Sequence, residues 1–177
     1  MSDRLETSRR DFIAASALGV LGFASIGRSI ASRRNGELLY VGTYTEDKRT
    51  EGIFLVRFDT RSGALQLEHG VDAGPNPSFL AIHPHGRVLY AVNEIDQFNG
   101  KASGAVCAFA INGDTGALTR INEQASGGGS PCYVSVDRSG RAVLVANYVG
   151  GSIALLPLDH SGSLGSATHI DQHQGKG

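Results

Sequence analysis

Cysteine is nearly missing from this 177-residue chain: Cys107 and Cys132 are the two it has, and no Cys-x-x-Cys pair occurs. So few cannot hold a chain of this length together as a disulfide scaffold. Proline is also scarce, at 5 residues, which excludes a collagen-like or proline-rich linker composition. No charge of one sign dominates. The 16 Lys and Arg against 17 Asp and Glu leave a formal net charge of −1, without the clustered basic surface of a nucleic-acid binder. No apolar run reaches the ~20 residues of an ordinary membrane-spanning helix. After Asn35 no useful stretch repeats its apolar residues at the 3.6-residue helical period. Charged residues make up 19% and hydrophobic residues 41%, so the composition is not that of a disordered chain. Glycine is what abounds, at 24 residues, and that many glycines imply many tight turns.

The N-terminus reads as an address. Ser8-Arg9-Arg10-Asp11-Phe12 is a twin-arginine pattern, followed by an uncharged, small-residue stretch from Ile13 to Ile26 that closes at Arg28. Ser29-Ile-Ala31 places small residues where a signal peptidase reads them, so cleavage is expected after Ala31. Residues 1–31 are therefore expected to be a twin-arginine (Tat) signal peptide. That implies the Tat export machinery as a partner, a soluble periplasmic destination and no membrane anchoring after cleavage.

An internal repeat dominates the rest. Pro77, Gly86, Arg87 and Asn93 recur as Pro131, Gly140, Arg141 and Asn147, each 54 residues on. A second marker recurs as Ser62-Gly-Ala-Leu65, Thr115-Gly-Ala-Leu118 and Ser161-Gly-Ser-Leu164. The first copy is incomplete and starts at Leu38-Leu-Tyr-Val-Gly-Thr43-Tyr44, which aligns with Val88-Leu-Tyr-Ala-Val-Asn93-Glu94. Val88 to Val92, Ala105 to Ile111, Ala142 to Ala146 and Ser152 to Leu156 are near-continuous apolar runs, which suit strands covered on both faces. The last segment of each copy, such as Leu118-Thr-Arg-Ile-Asn-Glu-Gln124, is more polar and alternates. Three apolar strands and a polar outermost one, repeated about every 50 residues, predict an all-β fold: a β-propeller of four-stranded blades. A β-sandwich would alternate in most strands and show no phased repeat. Residues 38–177 hold about three blades, while closed propellers have about four to eight. The expectation is the N-terminal part of a longer, closed ring, with the outer faces of its first and last blades open.

Several motifs together resemble the lactonase family of seven-bladed, 6-phosphogluconolactonase-like propellers, which implies about three blades here out of seven. They are Leu39-Tyr-Val-Gly-Thr-Tyr-Thr45, Asn76-Pro-Ser-Phe-Leu-Ala-Ile-His-Pro84, Leu89-Tyr-Ala-Val-Asn-Glu94, Gly129-Ser-Pro-Cys-Tyr133 and Ala146-Asn-Tyr-Val-Gly-Gly-Ser152. The resemblance implies a lactone hydrolase of carbohydrate metabolism that opens a sugar lactone by water attack, with a small lactone or sugar-derived substrate, no cofactor and no nucleic-acid partner. It also implies that the family's catalytic His, Arg and Glu lie beyond His173-Gln-Gly175, so this portion is expected to lack the catalytic half. A ligand- or protein-binding propeller without catalysis is the alternative.

Lactone opening needs a base for water and donors for the developing oxyanion. Repeat alignment nominates the ends of equivalent strands: Thr43-Tyr44, Asn93-Glu94 and Asn147-Tyr148. Tyr44, Asn93, Asn147 and Tyr148 are the candidate substrate-binding residues, and Glu94, the one carboxylate in the set, is the candidate catalytic group. Asn93 and Asn147 can equally hydrogen-bond turn backbone, and Glu94 can equally be a solvated or ion-paired loop acid. No metal site is expected. His83-Pro-His85 falls in a surface turn, and the spacing of His169 and His173 suits a metal only on a helix. Gly127-Gly-Gly129 precedes a strand rather than a helix, so it is no phosphate cradle, and no Gly-x-Ser-x-Gly elbow occurs. Cys107 reads as a small buried residue, and a Cys107–Cys132 disulfide has no support in the pattern.

Overall fold

A computed structural model describes residues 36–45 and 51–175; the expected signal at 1–31 lies outside the described residues. Among those described there are strands and no helix. β1 (Glu37–Gly42), β2 (Glu51–Phe58) and β3 (Leu65–Asp72) form one antiparallel sheet. β4 (Leu80–Ile82), β5 (Val88–Asn93), β8 (Ala105–Ile111) and β9 (Leu118–Ala125) form the second, with a small hairpin of β6 (Gln97–Phe98) and β7 (Lys101–Ala102) between β5 and β8. β10 (Pro131–Val136), β11 (Ala142–Asn147), β12 (Ser152–Pro157) and β13 (His169–Gln172) form the third. Neighbouring strands are consecutive within each sheet apart from that hairpin, which is the up-and-down order of a propeller blade. The first blade has the counterparts of the outer three strands.

The apolar runs are explained by packing on both faces. Side chains alternate across a strand, so Val88, Tyr90 and Val92 of β5 face the third sheet, where they cluster with Val134, Val143, Val145 and Leu156. Leu89 and Ala91, from the other face, join Cys107 and Phe109 against Ile53 and Ala73 of the first sheet and its connection. All six residues of β5 are buried as a result. The outermost strands are more polar and have no buried residue: β3 and β13 are largely exposed and β9 is mostly half-buried.

The Ser/Thr-Gly-x-Leu marker is the turn between the third and fourth strands. Gly63, Gly116 and Gly162 sit there at φ of 75°, 75° and 83°, a region that glycine enters without strain. Asp59, Asn112 and Asp159 open these turns, and their side-chain oxygens accept backbone N–H groups two and three or four residues on. The second and third of these turns dock on the preceding blade. The Tyr40 hydroxyl donates to the Gly116 carbonyl at 2.6 Å, and the Tyr90 hydroxyl to that of Gly162 at 2.9 Å. His83 reaches across the same boundary. Its Nδ1 accepts the His85 N–H, which leaves Nε2 to donate to the Gly140 carbonyl at 3.0 Å. The His83-Pro-His85 turn is thus at the surface as expected, but His83 itself is buried and ties two blades together. Gly104 meets Pro131 so closely that a Cβ there would lie 2.1 Å from the proline Cδ.

The outer faces of the first and third sheets remain open. Leu39, Val41, Leu65 and Leu67 are exposed on one, and Leu144 and Ile153 on the other.

Candidate functional site

Each blade runs between two ends. The hairpin turns at 59–64, 112–117 and 158–164 lie at one end, and the connections after β1, β5 and β11 and those between blades lie at the other. The candidate residues all fall at this connection end, because they follow equivalent strands.

Tyr44 and Glu94 come together there, and Ser78 joins them. The Ser78 hydroxyl donates to a Glu94 carboxylate oxygen at 2.5 Å. Tyr44 stands beside both, 62% exposed. Its phenol is held above its ordinary value, first by the Glu94 side chain and then by desolvation, with the Cys132 thiol adding to the effect. Tyr44 belongs to the first blade, Ser78 and Glu94 to the second, and Cys132 to the third. Phe79 and Tyr133, which neighbour Ser78 and Cys132 in the repeat, stack with ring centroids 4.7 Å apart.

Backbone contacts fix this cluster. Asn76 is held at φ 47°, and its side-chain oxygen accepts the Thr45 N–H at 3.0 Å while its amide donates to the Glu94 carbonyl at 3.2 Å. The Asn76 carbonyl accepts the Glu94 N–H at 3.0 Å. One side chain thereby locks Tyr44's neighbour and Glu94's backbone to each other. Ser130, the Asn76 equivalent 54 residues later, has φ 49°, and its carbonyl accepts the Tyr148 N–H at 2.9 Å.

Asn93 and Asn147 are placed differently from Tyr44 and Glu94. Both are buried, and the Asn93 amide donates to the Ala73 and Pro75 carbonyls at 2.8 and 2.7 Å. The Asn147 amide donates to the Ser126 carbonyl at 3.0 Å and to the Ser152 hydroxyl at 3.1 Å. Each asparagine thus pins the connection that enters its own blade. The Cys107 thiol donates to Asn93 Oδ1, but the corresponding residue of β12 is Ala154, and Asn147 Oδ1 is buried with no partner among the described residues. Tyr148 is 79% exposed on the third blade's connection. His173 borders a cleft of about 300 Å³ with Asn147, Ser152 and Asp171.

Ser78 and Asn76 did not emerge from strand-end alignment, because both precede their strand. Their signal lay in the repeat: polar residues flank Pro77 just where Ser130 and Cys132 flank Pro131. The two cysteines are free. Burial pushes the Cys107 thiol up to about 12, whereas Cys132 is half-buried. Among the described residues no group of three His, Cys, Asp or Glu could hold a metal ion, and no helix is long and apolar enough to cross a membrane.

Phased antiparallel sheets, one of three strands and two of four, stacked face to face with their polar candidates at one end, define consecutive blades of a β-propeller. Residues 38–177 match the family described as Lactonase, 7-bladed beta-propeller, and the chain belongs to that family. It is 37% identical over 138 residues to a 6-phosphogluconolactonase of Bacillus subtilis, a match covering 78% of this chain and 38% of the relative. A 6-phosphogluconolactonase of Formosa agariphila is also 37% identical, over 71% of this chain and 35% of its own length. Among solved structures, the periplasmic gluconolactonase of Pseudomonas aeruginosa superposes with a TM-score of 0.66 at 34% identity, over 77% of this chain and 39% of that one. The chain therefore spans under two-fifths of the length of these relatives.

Proposed function

We propose that this chain forms the first three blades of an exported lactone hydrolase acting on a sugar-derived lactone, and that its connection end is one wall of the active site. The observation that carries the reading is the convergence of Tyr44, Ser78 and Glu94 from two blades, beside Cys132 of a third. In the reaction, water adds to the acyl carbon, the ring C–O bond breaks, and the ring oxygen leaves with a proton as the new hydroxyl of a hydroxy acid. Glu94 is the carboxylate of this wall that can contact the substrate and the attacking water, with Tyr44 beside it and Tyr148 offered from the third blade's connection. Asn93 and Asn147 support the wall from behind. The remaining donors belong to blades beyond this portion. No cofactor enters the scheme.

The twin-arginine motif and the likeness to a periplasmic gluconolactonase support a periplasmic setting reached through the Tat machinery, with the signal removed after Ala31. The test is hydrolysis of glucono-δ-lactone by the native protein as purified, followed by proton release. Acceleration over buffer, lowered about 100-fold or more by Glu94→Gln, is expected. Correctly folded protein that leaves the lactone to its spontaneous rate would favour a binding propeller instead.

A further inference from the structure

β4 and β10 are the innermost strands of the second and third blades, and each pairs along one edge only. Their free edges line the axis of the ring. Phe79, just before β4, and Tyr133, in β10, occupy the same place in the repeat and stack on each other across the blade boundary. Phe79 shares a side of its strand with Ala81, which packs into the core against the third sheet. The blade that faces Phe79 is thus present with all four strands, and still leaves the ring 37% exposed. Tyr90 and Phe109, aromatic residues that serve the core of the same blade, are fully buried.

Strand register sets this pair beside the candidate site. The Phe79 carbonyl accepts the Val92 N–H at 3.1 Å, so Phe79 lies opposite Val92 and diagonal to Glu94, two residues on. Tyr133 lies opposite Ala146 and, in the same way, diagonal to Tyr148. Diagonal neighbours on one face of a sheet are about 7–8 Å apart, within reach of aromatic and long side chains. Ser78, which holds the Glu94 carboxylate, is the residue before Phe79.

From this we infer that the Phe79–Tyr133 stack is the wall against which one face of the lactone ring lies, and that it favours the closed ring over the open-chain hydroxy acid. The inference rests on the hydrolase reading above and adds two substrate-binding residues to it. Hydroxyls radiate from the rim of a sugar ring and leave its C–H faces apolar. The electron-rich faces of aromatic rings attract such C–H groups, and the contact removes apolar surface from water. The planar ester group flattens a lactone and widens the contact. Ring opening abolishes the flat face, so the product loses the wall as it forms. The wall touches ring atoms that do not react, before and during water attack alike, so it acts on binding rather than on the chemical step.

The test measures kcat and KM for glucono-δ-lactone on the native protein and on Phe79→Leu, which keeps apolar bulk and loses the aromatic face. KM is expected to rise about fivefold to tenfold, with kcat within about twofold. Affinity for anhydroglucitol, a pyranose ring without an ester, should fall by the same factor in calorimetry, while inhibition by gluconate stays unchanged. Phe79→Tyr keeps the flat face and should match the native protein in all three; a loss equal to that of Phe79→Leu overturns stacking. Unchanged KM and ring affinity in Phe79→Leu overturn the inference, as does a fall in kcat at unchanged KM, and both leave the hydrolase reading intact. Equal weakening of gluconate overturns the preference for the closed ring. Phe79-dependent binding of anhydroglucitol without any turnover upholds the wall and removes the hydrolase reading.

Discussion

The second and third blades carry nearly the same sequence pattern and differ in what surrounds them. β5 and β11 are aligned, apolar and six residues long, yet every residue of β5 is buried while β11 alternates between buried positions and half-buried or exposed ones. Tyr90 inserts between blades and hands its hydroxyl to Gly162, while Leu144, at the same place in the repeat, is 39% exposed. A strand's burial is set by its neighbours, and the apolar run records only that two neighbours are expected. The open faces of the first and third blades are where the other blades of a seven-bladed ring would pack.

Mutations can break this comparison, and the largest effect is expected in the middle blade. Phe109→Ala removes a fully buried ring that also lies 5.4 Å below the Arg120 guanidinium. It should cost about 3–5 kcal/mol, against less than ~1 kcal/mol for Leu144→Ala on the open face. Urea unfolding of both variants measures the difference. Equal losses would mean that Leu144 is covered in solution.

Gly104→Ala comes next. Its Cβ would meet the Pro131 ring, whereas a Cβ at Gly63 meets nothing within 4 Å and bears only the positive φ. Losses of roughly 2–3 kcal/mol and about 1 kcal/mol are expected in thermal melts. Tyr90→Phe should cost about 1–2 kcal/mol, because it strands the Gly162 carbonyl in a buried boundary, and Tyr40→Phe, at a half-buried one, less.

Acid is the gentlest probe. The repeat places His83 in the second blade where the third has Asp137, and Asp137 is ringed by donors from Ser139, Arg141 and Ala142. Hydrogen bonds, that from the Ser139 hydroxyl first, hold its carboxyl well below the ordinary range, and the turns at Asp59 and Asp159 do the same more mildly. A lowered folded-state pKa means stability that is present above the unfolded value and lost as pH falls. The melting temperature should therefore drop below about pH 4, and Asp137→Asn should flatten that slope. An unchanged slope would remove the Asp137 turn from the acid response.

Much of the fold was legible because the repeat made it so. Turn positions such as Gly86 and Gly140 or Pro77 and Pro131 recur at one offset since each blade solves the same chain-reversal problem. The polar outer strands were legible from alternation. The candidate site was legible only in part. Tyr44 and Glu94 meet as their strand-end positions suggested, but Asn93 and Asn147, of equal standing in the alignment, turn inward to hold backbone. An asparagine's hydrogen bonds go wherever the nearest unpaired carbonyls are, and a one-dimensional pattern does not record those.

The sequence by itself determined an all-β chain of repeated four-stranded units, with glycine turns and the chemical types at each strand end. Those features depend on alternation and local turn geometry, which act within a few residues. Only the tertiary structure decided that Ser78 would join Tyr44 and Glu94, that His83 would bridge two blades, and that Asn93 and Asn147 would turn inward to hold the connections. Each of these depends on the stacking of one blade on the next, which brings together residues dozens of positions apart.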